Sequence, residues 1–256
     1  MNIKKLISKT NKIKLDTFKM LNTKGGGHYG GSFSCAEILV NIYFNQLKKK
    51  DKFILSKAHA GVILYAILAE KKKISKKLLS TYGKENSILG VHGEHDLLKN
   101  IDFSCGSLGH GLSYAAGVCY ANKKNKVYTL IGDGESQEGS IWEAALFASQ
   151  HKLSNLIVIL DYNKKQSSGL IKDILNLDPI VPKWKSFGWH VIRCNGHNHN
   201  SLNKSFKKIN KNKPNIIVAD TIKGKGLSFL EKRKHCHYDR LNNEQKIKGL
   251  EELNIK

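Results

Sequence analysis

Residues 126–169, KVYTLIGDGESQEGSIWEAALFASQHKLSNLIVILDYNKKQSSG, decide the fold. An apolar run at 127–131 ends in Gly132-Asp133-Gly134, and a second at 156–160 ends in Asp161-Tyr162-Asn163. Between them Ile141, Ala144, Ala145 and Ala148 recur at i, i+3, i+4 and i+7, the spacing of one helix face. The pattern reads as strand–helix–strand with parallel strands, so the predicted fold class is α/β. An open, mostly parallel sheet with helices on both faces is expected. Its polar strand ends lie at the carboxyl edge, where such sheets bind ligands. Asp133 and Asn163 then converge across a crevice. A carboxylate and an amide oxygen are hard ligands suited to Mg²⁺, which keeps water and recruits substrate phosphates. Gly132 and Gly134 leave room for a phosphate to approach the backbone.

Taken alone, Gly-Asp-Gly is more simply a turn after a strand. Joined to the asparagine that closes the next strand, it resembles the thiamine diphosphate fingerprint. The intervening QEG-x-x-WEA and HKL-x-NL blocks resemble transketolase in particular. That resemblance implies thiamine diphosphate and Mg²⁺ as cofactors. Asp133, Asn163 and the backbone carbonyl of Lys165 would hold the metal, with Asn163 and Gly134 also at the cofactor.

Length and composition narrow the rest. At 256 residues the chain can bury a sizeable core, and one domain spanning 1–256 is the natural expectation. No run approaches the roughly 18 apolar residues of a membrane span. The lysine-rich N-terminus has no apolar core of signal-peptide length, so a cytoplasmic location is expected. Five cysteines without a CxxC pair argue against a disulfide framework or a zinc ribbon. Cys236 lies between His235 and His237, but further ligands at compatible spacing are lacking, so structural thiols are the simpler reading. The formal charge of +22 invites a nucleic-acid hypothesis. Only Arg193, Arg233 and Arg240 are arginines, however, and the lysines scatter in short runs. Arginine is the usual residue for bidentate phosphate and base contacts, so drift towards Lys, Asn and Ile explains the charge better.

Residues 1–24 read as a helical, partly exposed lead-in. The glycine-rich loop 25–32 then opens into an apolar helical segment, and GGGH-x-GGSFSCAEILVNIYF is similar to the first transketolase block. There the resemblance implies that His28 faces substrate, with Tyr29 standing where proline is usual. Residues 51–61, DKFILSKAHAG, read as a short strand feeding a helix and resemble DRFVLSKGHA, which places His59 at the cofactor diphosphate. Residues 89–93, LGVHG, match a block usually written LxGHP, making His92 a substrate-side histidine; a solvated loop histidine is the plain alternative, and His95 lies close by. Residues 104–113, SCGSLGHGLS, form a glycine-punctuated turn before a helix and look like TGSLGQG, in which Gly106, Ser107 and Leu108 line the aminopyrimidine. The FGWHVI block at 187–192 and TIKGKGLSF at 221–229 also resemble the family. His237 aligns with a late histidine near the diphosphate, and residues 241–256 read as a charged terminal helix. Glu138 and Glu143 are expected one and two turns into the central helix. Glu138 is the better candidate at the partner-facing side of the cofactor, because the family motif includes it and carboxylates suit helix N-termini. Solvated helix charges are the alternative.

The resemblance covers nearly all of the chain but only the N-terminal half of a full transketolase. The glutamate that activates the cofactor lies, in the family, in the following pyrimidine-binding domain. The alternatives are a fragment or a split enzyme, and the split arrangement is the favoured expectation: this chain with a C-terminal subunit supplying that glutamate, as an α₂β₂ assembly acting on sugar phosphates. Half of a 1-deoxyxylulose-phosphate synthase or of a ketoacid dehydrogenase is the near rival, against which QEG-x-x-WEA and FGWHVI count. A non-catalytic cofactor- or nucleic-acid-binding module is the distant one.

Overall fold

The computed structural model describes residues 1–254; the last two residues of the expected terminal helix lie outside the described residues. Among the described residues the strands are β1 (Lys52–Leu55), β2 (Val127–Gly132), β3 (Leu156–Tyr162), β4 (His190–Asn195) and β5 (Asn215–Asp220). They pair in the order β1-β2-β3-β5-β4, and every pairing is parallel. The sheet expected to be mostly parallel is thus wholly so among the described residues.

Helices cover both faces. In chain order they are α1 (Ile3–Lys24), α2 (Tyr29–Ser34), α3 (Ala36–Asn41), α4 (Gly61–Glu70), α5 (His110–Ala121) and α6 (Gly139–Gln150). Then come α7 (Ile171–Ile174), α8 (Ile180–Ser186), α9 (His199–Lys207), α10 (Ser228–Glu231) and α11 (Asn243–Asn254). Alternation along each strand divides the core in two. Tyr128, Leu130, Ile157, Ile159, Ile217 and Ala219 face one layer with α1, α3 and α4. Val127, Ile131, Val158, Leu160, Ile216 and Val218 face the other with α5, α6 and α8. Strands buried on both faces must be apolar throughout, which is why β2 and β3 read as continuous runs.

Local chemistry sets the boundaries. Asn2 caps α1 by accepting the Lys5 N–H at 2.9 Å. The helix ends at Gly25, whose φ of +86° only glycine adopts cheaply, with the Gly26 N–H returning to the Leu21 carbonyl at 2.9 Å. As expected, residues 3–24 are helical and partly exposed, but the inner face of α1 buries Leu6, Ile13, Phe18 and Leu21 completely. The expected face of α6 is present, with Ile141, Ala144, Ala145 and Ala148 buried. That helix starts later than expected, at Gly139, because residues 135–137 form a separate 3₁₀ turn. Glu138 is therefore its N-cap residue and Glu143 lies one turn in, not one and two turns.

The register puts Gly132 opposite Asp161, and Tyr162 opposite Asp220, at one edge. The turns following β1, β2, β3 and β5 gather at that edge. At β1, α5 crosses so closely that a Cβ on Gly111 would lie 2.4 Å from Ser56 Oγ and 2.8 Å from Ser56 Cα. Backbone cannot yield there as a flexible side chain would. Gly111→Ala is expected to destabilise the fold by about 1–3 kcal/mol, read as a lower urea midpoint with an unchanged slope.

Candidate functional site

At the carboxyl edge of the sheet lies a cavity of about 340 Å³. Asp133, at the end of β2, is 2% exposed. One of its carboxylate oxygens accepts the Gly134 N–H at 2.8 Å and the other accepts the Lys164 N–H. Asn163, at the end of β3, accepts the Lys165 N–H at 3.1 Å and donates to Asp161 at 3.3 Å. The parallel β2–β3 register brings both residues, with Lys165, to the same cavity.

Burial, and then the charge of Asp161, pushes the Asp133 carboxyl up to about 6. A carboxylate held so uncomfortably gains from a cation beside it. One carboxylate, one amide oxygen and one peptide carbonyl form a hard oxygen set that fits Mg²⁺ completed by phosphate and water. Among the described residues no group of three His, Cys, Asp or Glu side chains is placed to hold a metal ion.

Three histidines cluster at the cavity, and two of them, His59 and His237, line it. The ring centroids of His28, His59 and His237 lie 5.4, 5.1 and 4.8 Å apart in the pairs 28–59, 28–237 and 59–237. Burial, reinforced by neighbouring positive groups, lowers His28 to about 4, His237 to about 3 and His59 well below its ordinary value. All three are neutral at pH 7. Lys223 Nζ donates to His237 Nδ1 at 3.0 Å, which leaves the His237 proton on Nε2.

His59, His92, Gly106, Leu108, Gly134, Glu138 and His237 border the cavity along with the metal-side group. His28 stands behind His59 and His237 and does not itself line it. The cofactor-side and substrate-side histidines therefore form one cluster. Ser107 is exposed and lies off the lining, unlike its neighbours Gly106 and Leu108. His92 reaches the cavity, whereas His95 bonds the Ile101 carbonyl in a separate depression. Glu138 is exposed at the cavity rim, and Glu143 lies on the outer face beside Ser113 and Phe147.

Four charged residues at this site carried no functional role in the sequence reading. Lys57 pairs with Asp161 at 2.5 Å, both essentially inaccessible. Ser34 and Thr221 donate to the same carboxylate. Burial alone would raise Asp161, but the Lys57 ammonium and these donors hold it below the usual carboxylate range. Glu135 takes the Ser56 hydroxyl, the Gly109 N–H at 2.9 Å and the Gly132 N–H at 3.0 Å. It thereby locks the Gly106–Leu108 turn to the end of β2. Lys223 donates to the Lys165 carbonyl at 2.8 Å, and burial pulls its ammonium down to about 8. A readable signal existed for Asp161, an acid inside an apolar run, since buried charges are rarely left unpaired.

Fold and site together define an open, parallel α/β domain with a polar cavity at the carboxyl edge of its sheet. Residues 4–253 match the family model for the thiamine diphosphate binding domain of transketolase. The chain belongs to the transketolase family. It is 39% identical to the 6-deoxy-6-sulfo-D-fructose transketolase subunit of Clostridium sp. (strain MSTE9), covering 95% of this chain and 94% of that one. It is 40% identical to an apulose-4-phosphate transketolase subunit from Actinobacillus succinogenes, covering 91% and 89%. The crystal structure of Campylobacter jejuni transketolase superposes with a TM-score of 0.91 at 28% identity, covering 99% of this chain but 43% of that one. The chain thus spans less than half of that solved transketolase.

Two outcomes follow from the charges. Proton and metal compete for Asp133, whose folded value of about 6 exceeds its ordinary 3.8. Thermal stabilisation by Mg²⁺ with thiamine diphosphate is expected to be full above pH 7 and to fade as pH drops through 6, in a melting series at fixed ligand. Asp161→Ala leaves the Lys57 ammonium buried and unpaired, an expected loss of about 3–5 kcal/mol. Lys57→Met combined with Asp161→Leu is expected to cost less than either single change, by chemical denaturation.

Proposed function

We propose that the chain is the N-terminal subunit of a thiamine diphosphate- and Mg²⁺-dependent transketolase. It moves a two-carbon ketol unit between phosphorylated sugars together with a separate subunit carrying the pyrimidine-binding domain. The observation that carries this reading is the near-complete coverage of two relatives that are themselves named as subunits, set against 43% coverage of a full-length enzyme. The cavity supports it with the right donors at the ends of β2 and β3.

Asp133, Asn163 and the Lys165 carbonyl would hold Mg²⁺, which would offset the charge of the diphosphate. Gly134 offers its backbone, and neutral His59 and His237 offer ring N–H donors, to the phosphate oxygens. Lys223 adds a positive charge on the same side. Gly106 and Leu108, with Ser107 between them off the lining, would flank the aminopyrimidine, held in place by Glu135. His92, from the cavity lining, and His28, from behind His59 and His237, would serve the sugar side; an imidazole at the lining can accept a proton from a sugar hydroxyl and return it. Glu138, at the rim, meets the partner subunit. Bound thiamine diphosphate supplies the electron sink that allows a ketose carbon–carbon bond to break, and the protein supplies placement and electrostatics. The partner contributes the glutamate that activates the cofactor, and two copies of each subunit complete the assembly. Anionic sugars suit the strongly basic chain, and a cytoplasmic location suits such substrates. Among the described residues no helix is long and apolar enough to cross a membrane.

The test is ketol transfer from xylulose 5-phosphate to ribose 5-phosphate with thiamine diphosphate and Mg²⁺. It is run on the chain alone and after mixing with the pyrimidine-domain subunit. Activity is expected in the mixture only, and Asp133→Ala is expected to lower it at least about 100-fold. Activity of the chain by itself would show that no partner glutamate is required. An inactive mixture with cofactor bound would reject these sugars.

A further inference from the structure

A polar chain outside the cavity runs from the first helix to the loop that carries Lys223. Lys14 Nζ, on α1, donates to Glu37 Oε1 on α3 at 2.6 Å. Glu37 Oε2 lies 2.9 Å from His197 Nδ1, in the turn after β4. His197 Nε2 accepts the Ile222 backbone N–H at 2.8 Å. An acceptor at Nε2 puts the ring proton on Nδ1, facing Glu37, so the tautomer is fixed by both partners. Lys14 and Glu37 are 5% and 9% exposed, and the Lys14 ammonium and His197 outweigh burial to hold the Glu37 carboxyl at about 2.

The end of this chain is the peptide immediately before Lys223. The Ile222 side chain is 41% exposed, so apolar packing does not hold that residue. On either side the loop is tied by the Thr221 N–H to the Tyr162 carbonyl at 3.2 Å and by the Gly224 N–H to the Gly30 carbonyl at 3.0 Å. The contact from His197 sets the peptide between them. From there the Lys223 side chain runs inward to the Lys165 carbonyl and His237.

We propose that His197 is a positioning residue for Lys223: held by Glu37, it grips the Ile222 N–H and so fixes where the Lys223 ammonium meets the cofactor diphosphate. The proposal rests on the reading that the cavity takes thiamine diphosphate. His197 does not touch the cofactor and acts through the loop alone. Charge–charge stabilisation in a buried site depends steeply on placement, so a small shift of the loop is felt as lost affinity.

The experiment is titration calorimetry of thiamine diphosphate, with Mg²⁺ present, into the full chain. It is joined to hydrogen exchange at the 221–226 loop. His197→Asn keeps a donor near the Nδ1 position for Glu37 but removes the acceptor for Ile222. It is expected to weaken binding about 10-fold and to speed exchange of the Ile222 amide. His197→Gln keeps an acceptor near the Nε2 position and is expected to stay close to the unaltered affinity. In a Lys223→Met background, His197→Asn is expected to add no further loss, because its effect passes through Lys223. Equal affinity of His197→Asn and the unaltered chain would overturn the proposal. So would unchanged Ile222 exchange, a Gln variant as weak as Asn, or a full additional loss in the Lys223→Met background. Failure of the unaltered chain to bind thiamine diphosphate is a different result: it rejects the reading of the cavity itself, and the proposal with it.

Discussion

The ion pair between Lys57 and Asp161 is the constraint on which the site depends. Asp161 lies near the end of an all-buried strand, where an isolated carboxylate would be several kcal/mol too costly. Lys57 answers the charge, and Ser34, Thr221 and Asn163 answer the remaining lone pairs. Those partners come from four separate segments: the turn after β1, the helix α2, the turn after β5, and the end of β3 itself. One carboxylate therefore ties four segments together at the edge of the sheet that carries the cavity. A half-satisfied network of this kind is worse than an apolar one, so its members stand or fall together.

With that pair neutralised internally, the charge that remains at the cavity is unbalanced in a useful way. Asp133 is pushed up by burial, and Lys223 is pulled down. The three histidines are kept neutral by the same burial and by each other's company. Each group is less comfortable than it would be in water. In the proposed function a divalent cation would relieve Asp133 and a diphosphate would relieve Lys223. The electrostatic cost would then become a preference for a metal–diphosphate pair over either alone.

The sheet was legible in the sequence because a parallel strand buried on both faces must read as an unbroken apolar run. The α6 face was legible because Ile141, Ala144, Ala145 and Ala148 have no role except burial. The boundary of α6 was not, since Glu135 serves the two glycine turns and takes residues 135–137 into a 3₁₀ turn. The depth of the inner face of α1 was not legible, because its lysines mask a narrow apolar stripe: Lys14 is itself buried and spent on Glu37. Asp133 and Asn163 could be read as a pair from their strand ends, because the parallel register carries consecutive strand ends to one edge and so to one cavity. Lys57, Lys223 and His197 could not, because their partners are distant in sequence and a lone lysine or histidine carries no periodic signal.

Departures from the family pattern follow the same logic of local compensation. Tyr29, where proline is usual, fills the core completely, packs edge-on against Phe18 at 5.9 Å and donates its hydroxyl to Asn22 Oδ1 at 2.7 Å. A proline would satisfy the start of α2 by its fixed φ alone; the tyrosine satisfies it by tying α2 to the end of α1. Gly93 gives up a side chain where a Cβ would lie 2.5 Å from Ile101 Cδ1, so the loop bearing His92 packs tightly onto its neighbour instead. Cys105, in place of threonine, is buried and its thiol is driven up to about 12, which makes it an inert apolar filler beneath the Gly106 turn. None of these changes alters a donor that faces the cavity. The chain can therefore drift at the layer behind the site without changing a residue that lines the cavity.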